Sequence, residues 1–137
     1  MKITKVEALE NIANDIRISV IEQVYNAQSG HPGGALSCAD IIAVLYFNQM
    51  NIDPKKPNAK ERDRFVLSKG HCATALYAAL AQKGYFSKEL LASFRKLESN
   101  LQGHPDMNKV PGVDMNTGSL RTRIIYCKWN SNEFKTK

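Results

Sequence analysis

The sequence predicts an α/β chain that is mostly helical, and three observations carry the prediction. Apolar residues recur at three- and four-residue spacing across roughly 6–28, the signature of an amphipathic helix. A short apolar run, Phe65-Val66-Leu67, is bounded by charge at Arg62-Asp63-Arg64 and Lys69, which reads as a buried strand. It leads through Gly70-His71 into the Ala-rich run 72–80, a segment of strong helix propensity with Gly84 as its stop signal.

In chain order, the first helix places Leu9, Ile12, Ala13, Ile16, Val20, Ile21 and Val24 on one face and Glu7, Glu10, Asn14, Asp15, Arg17 and Glu22 on the other. Ser29-Gly30-His31-Pro32-Gly33-Gly34 is expected to interrupt it as a loop. Ser37-Cys38-Ala39-Asp40 has the form of a helix start, with Ser37 as the cap and Asp40 three residues on. The helix it opens, through Ile41 to Phe47, is apolar nearly all round and is expected to be buried. Residues 51–64 are polar and broken by Pro54 and Pro57, the composition of a solvated connection. After the strand and the Ala-rich helix, Ser87 is placed to cap a helix over 88–98, with Leu90, Leu91, Phe94 and Leu97 on one face.

With 137 residues, 43% of them apolar, the chain is long enough for one domain with a real core. The net charge of +6 is unevenly placed: residues 121–137 hold 5 basic and 1 acidic side chains, while 1–120 hold 14 and 12. A nucleic-acid interface would therefore rest on the tail alone, through Arg121, Arg123, Lys128, Tyr126 and Trp129, and is disfavoured. Cys38, Cys72 and Cys127 fit neither a disulfide framework nor a zinc pattern, so a reducing cytoplasmic setting is expected. The first residues lack the apolar core of a signal peptide, and the longest apolar run, 41–47, is too short to cross a bilayer.

The chemistry centres on histidine. All 3 histidines follow glycine, at Gly30-His31, Gly70-His71 and Gly103-His104, whereas glycine's average usage would make even one such pair uncommon. Any single pair is explained by a histidine that caps its own turn, and a three-histidine metal site is a further alternative. Loop imidazoles converging on one cleft could hydrogen-bond substrate hydroxyls and move protons near neutral pH. Gly70-His71 has an added feature: a strand-to-helix turn, where backbone N–H groups and the helix dipole favour an anion.

These residues resemble a family. Ser29-Gly30-His31-Pro32-Gly33-Gly34, Ser68-Lys69-Gly70-His71, Gly103-His104-Pro105-Asp106 and Pro111-Gly112-Val113-Asp114-Met115-Asn116-Thr117-Gly118-Ser119-Leu120 are similar, in order and spacing, to the N-terminal part of transketolase, especially the type split into two chains. The resemblance implies a partial doubly wound thiamine-diphosphate-binding fold over 1–120 and an enzyme that moves a two-carbon ketol unit between sugar phosphates. It implies that His71 faces the diphosphate, that Gly118, Ser119 and Leu120 line the cofactor, and that His31 and His104 hold the donor sugar's oxygens and steer its protons. It also implies a Mg²⁺ or Ca²⁺ ion whose ligands are absent from this chain, and two partners: a C-terminal transketolase chain or domain and a second copy of the assembly. As it stands, the chain is expected to be inactive alone. The alternative is a phosphate- or cofactor-binding fragment that needs a companion chain.

The likeness stops at Leu120. Residues 121–137 can be written in AT-rich codons beginning AGG ACA AGG ATT ATC; dropping the first nucleotide gives Gly-Gln-Gly-Leu-Ser and an Ala-containing continuation, as the family has there. The tail is accordingly expected to be an out-of-frame product that was not shaped for this fold.

Overall fold

The computed structural model describes residues 2–118 and the backbone of 125–127. Its centre is helix α4, Ala73–Lys83, in which every residue from Ala73 to Ala81 is buried. A helix apolar on all sides has no face for water, and here it is wrapped by the others. Alanine at five of its positions lets neighbouring backbones come close. Gly84, at φ 97°, ends it in the left-handed region.

Helix α1, Val6–Ala27, runs along α4 and buries Ala13, Ile16, Val20 and Gln23, with Leu9 and Ile12 half-buried. The predicted stripe holds except at Ile21, which is exposed. The interruption at 29–34 is shorter than expected: Pro32–Leu36 forms a helix of one turn, α2, because proline at the first position is preorganised for a helix start. Ser37 therefore ends α2, its hydroxyl donating to Gly34 O at 3.0 Å, and Cys38 precedes the next helix, α3, Ala39–Val44. A π-turn, Leu45–Gln49, extends α3. Ile42, Ala43, Tyr46 and Phe47 are buried, but Ile41 is 60% exposed, so this helix has an open face.

The 51–64 connection is not wholly solvated. Arg62 and Asp63 are buried, Arg62 against Asp114 and Asp63 with its carboxylate accepting from Asn51 N–H at 2.8 Å. Strand β1 is Arg64–Val66, and it pairs antiparallel with β2, Ile125–Cys127, with Phe65 opposite Tyr126. A strand inside the tail is not visible in its side-chain pattern; ladder hydrogen bonds use the backbone and need no periodicity. Ser119, Leu120, Arg121, Arg123, Lys128 and Trp129 lie outside the described residues.

The last expected helix is also shorter. Only Lys88–Ser93 is helical, as a 3-10 segment, and the Ser87 hydroxyl bonds Glu89's carboxylate instead of a backbone N–H. Phe94 is buried while Leu97 is 95% exposed, because left-handed backbone at Arg95 and Glu98 turns the chain between them. Among the described residues no helix is long and apolar enough to cross a membrane.

Candidate functional site

The site begins where β1 gives way to α4 through a 3-10 turn, Gly70–Cys72. A Cβ on Gly70 would stand 2.5 Å from the carbonyl carbon and oxygen of Thr117 and 2.8 Å from Gly118 N. Only glycine lets these two backbones meet. Gly118 in turn faces His104, whose Cδ2 would lie 3.8 Å from a Cβ there. On the other side of Gly70, the His71 ring meets the His31 ring edge-on, centroids 5.0 Å apart and planes at 63°. A series of neighbours thus runs from His31 through His71, Gly70, Thr117 and Gly118 to His104, which gathers the three predicted histidines around one cradle. His31 and His104 are exposed and His71 is half-buried, so the imidazoles are open to a ligand.

The loops that carry them are tied down individually. His31 directly precedes α2. The Lys69 ammonium donates to Gly34 O at 2.7 Å and Ser37 Oγ at 3.3 Å, joining the first loop to the 70–72 turn. Cys38 and Cys72 lie buried beside this joint; burial pushes both thiols up, with Lys69 opposing, so they stay as unreactive thiols. From α4, the Tyr77 hydroxyl donates to Gln102 O at 2.9 Å, with His104 O a second acceptor at 3.2 Å. Burial, then the nearby Asp106 charge, pushes the Tyr77 phenol well above its ordinary range, which keeps it a donor.

The 111–118 segment is held by Asp114 and Asn116. Asp114 forms a buried ion pair with Arg62, a longer one with Arg64 at 3.4 Å, and accepts from Phe65 N–H at 2.8 Å. Asn116 Oδ1 accepts from Met107 N–H at 2.6 Å, which ties this segment to the His104 loop. At its end, Thr117 is buried and its Oγ1 has no hydrogen-bond partner among the described residues. A buried hydroxyl without a partner beside a backbone cradle fits a ligand rich in oxygen acceptors. Among the described residues no group of three or more His, Cys, Asp and Glu is arranged to hold a metal ion.

The sequence singles out the three histidines and, by the resemblance, Gly118, Ser119 and Leu120, the last two outside the described residues; it leaves Lys69, Tyr77, Asp114 and Thr117 without a working role. Tyr77 carries a signal, being the one large polar side chain in an alanine run.

Comparison with known proteins identifies the family. Residues 8–127 match the family described as transketolase, thiamine diphosphate binding domain. Over 116 residues the chain is 46% identical to one of the subunits of apulose-4-phosphate transketolase from Phocaeicola vulgatus, covering 85% of this chain and 41% of that one. It is 50% identical over 112 residues to the 6-deoxy-6-sulfo-D-fructose transketolase subunit SqwG of a Clostridium species, with 82% and 41% covered. Transketolase from Leishmania mexicana superposes with a TM-score of 0.79 at 36% identity, over 88% of this chain and 18% of that structure. The chain therefore spans about two-fifths of the split relatives and less than a fifth of the undivided enzyme. With the match running from 8 to 127, through the Gly70 cradle and all three histidines, the chain belongs to the transketolase family, within its thiamine-diphosphate-binding domain.

Proposed function

We propose that this chain forms the diphosphate side of a thiamine-diphosphate site in an enzyme that transfers a two-carbon ketol unit between sugar phosphates. The observation that carries the reading is the Gly70–Thr117 contact flanked by the His31–His71 pair and His104. The bound cofactor supplies the carbanion chemistry. The chain's own residues bind and orient. His71, the backbone at Gly70 and Gly118, and the Thr117 hydroxyl hold the diphosphate, beside the helix start where an anion is favoured. Ser119 and Leu120 are assigned to the cofactor by the family resemblance alone. His31 and His104 hold the donor sugar's hydroxyl and carbonyl oxygens and move protons at them.

A Mg²⁺ or Ca²⁺ ion belongs to the same reading, with ligands from outside this chain. So does a companion chain or C-terminal domain, which the printed names of the split relatives support, and a second copy of the assembly. A cytoplasmic setting and an out-of-frame origin for 121–137 complete it. Calorimetry with thiamine diphosphate and Mg²⁺, with and without a C-terminal transketolase polypeptide, tests the proposal: heat of binding that needs the polypeptide supports it, and none in either case overturns it. Binding without ketol transfer in the reconstituted pair would favour the alternative, a cofactor-binding fragment. Sequencing codons 118–125 tests the origin of the tail.

A further inference from the structure

Arg95 occupies a place that no motif predicts. Its backbone is left-handed, at φ 60°, an uncommon conformation for any residue but glycine, and its N–H donates to Leu101 O at 2.9 Å. This closes the 95–101 turn and points the side chain back toward the histidine loops. One guanidinium nitrogen donates to Ser29 Oγ, two residues before His31. The other edge lies against Gly103, the residue before His104: a Cβ there would stand 2.8 Å from both Nε and Nη2. The guanidinium carbon sits 5.6 Å from the Phe94 ring centre, and Phe94 packs edge-on against Tyr77, whose hydroxyl bonds the backbone on both sides of Gly103.

We propose that Arg95 is a positioning residue that sets the spacing of His31 and His104 by spanning Ser29 and Gly103. The planar fork is what the task needs. One edge of the rigid, planar guanidinium bonds Ser29 while the other packs flat against Gly103, so one side chain holds two loops at a fixed separation, whereas a lysine ammonium is a single point. Gly103 matches it, since any side chain there would displace the guanidinium. The inference rests on the reading of His31 and His104 as substrate-side groups only for its consequence; the coupling itself is a property of the chain.

The experiment follows the imidazole C2–H signals of His31 and His104 by NMR in the full chain, without ligand, in S29A, R95M and the double variant. S29A is expected to displace the His104 signal in the parent chain and to leave it unmoved in the R95M background. R95K, which keeps the charge and loses the fork, is expected to cut the displacement at least twofold. If S29A leaves His104 unmoved in the parent chain, or displaces it equally with and without Arg95, the proposal is overturned. A residue that only stabilised the fold would lower the melting temperature and leave the two effects additive. Should circular dichroism show R95M unfolded, the S29A comparison is made in R95K. Thiamine diphosphate and Mg²⁺, titrated separately with the C-terminal transketolase polypeptide present, keep the two readings apart. Failure to bind it removes the functional assignment and spares the coupling, while binding without coupling removes Arg95's role alone.

Discussion

His31 and His71 come from separate loops and meet edge to face, with ring centroids 5.0 Å apart. Their contact joins two tasks assigned to different groups: His71 lies beside the glycine cradle, and His31 stands one ring further out. H71A is expected to weaken thiamine diphosphate binding about tenfold or more, the loss of one hydrogen bond to a charged group. H31A and H104A are expected to leave that affinity within about threefold and to reduce turnover about a hundredfold, the range for a lost proton-transfer group. Calorimetry and steady-state kinetics on the assembly with its companion chain separate these outcomes. Equal loss of affinity in all three would contradict the division of labour.

The cradle itself depends on a missing methyl. A Cβ at Gly70 would stand 2.5 Å from the Thr117 carbonyl, closer than any real contact, and both elements are buried backbone with little room to shift. G70A is expected to destabilise the chain by about 1–3 kcal/mol, the usual cost of overpacking, and to abolish measurable cofactor binding. Urea unfolding and calorimetry check the two effects. G33A is the control, because no atom lies within 4 Å of a Cβ at that position.

Beneath the cradle, Asp114 is the anchor. Its carboxylate takes the Arg62 guanidinium and the Phe65 N–H in a setting where its side chain is 6% exposed and that of Arg62 is 7% exposed. D114A leaves a buried guanidinium without its partner and is expected to cost about 3–5 kcal/mol. D114N keeps one acceptor for Phe65 N–H and should cost less. A D114A loss below about 1 kcal/mol in urea unfolding would show that water reaches the pair.

How much of this is legible in the sequence follows from which interactions are local. α1 and the Ala-rich α4 announce themselves by periodicity and composition, and the Gly-His pairs by neighbouring residues in the sequence. Arg62 reads as solvated because its partner, Asp114, lies 52 residues away, and no local pattern encodes such a pair. The 88–98 helix does not form in full because left-handed backbone at Arg95 and Glu98 overrides a sound apolar stripe and leaves Leu97 outside. α2 is hidden for the opposite reason: a proline that breaks a helix from within also starts one.

Two buried phenols, Tyr46 and Tyr77, and the half-buried Tyr85 are expected to set the alkaline limit. Burial pushes Tyr46 and Tyr85 up, as it does Tyr77, where desolvation is followed by the Asp106 charge. A group raised in the folded state contributes stability that is complete below its unfolded value, about 10 for tyrosine. That contribution is lost as pH rises from there through the folded value, because the unfolded chain gives up the proton first. Stability is therefore expected to be flat with respect to these groups below pH ~10 and to fall above it. Y77F should make the fall shallower while lowering neutral-pH stability by about 1–2 kcal/mol, since the Gln102 and His104 carbonyls lose their donor. Urea midpoints measured from pH 7 upward decide it; an unchanged slope in Y77F would remove Tyr77 from the account.

Thr117 offers the sharpest contrast between stability and function. Its hydroxyl is buried beside the Gly70 contact and bonds nothing among the described residues, a state that costs about 1–3 kcal/mol unless something else recovers it. T117V keeps the shape and removes the unsatisfied group. If the hydroxyl serves only the fold, the variant should lose stability and leave ligand affinity alone. If it is held ready for a diphosphate oxygen, the opposite is expected: stability unchanged or raised by up to about 1 kcal/mol, and affinity for thiamine diphosphate lowered about fivefold to tenfold. The two signs are opposed, so thermal melting without ligand and calorimetry with it must disagree in direction. Parallel losses in both would mean that Thr117 is a structural residue with a partner formed in solution, and the cradle would then bind through backbone and His71 alone.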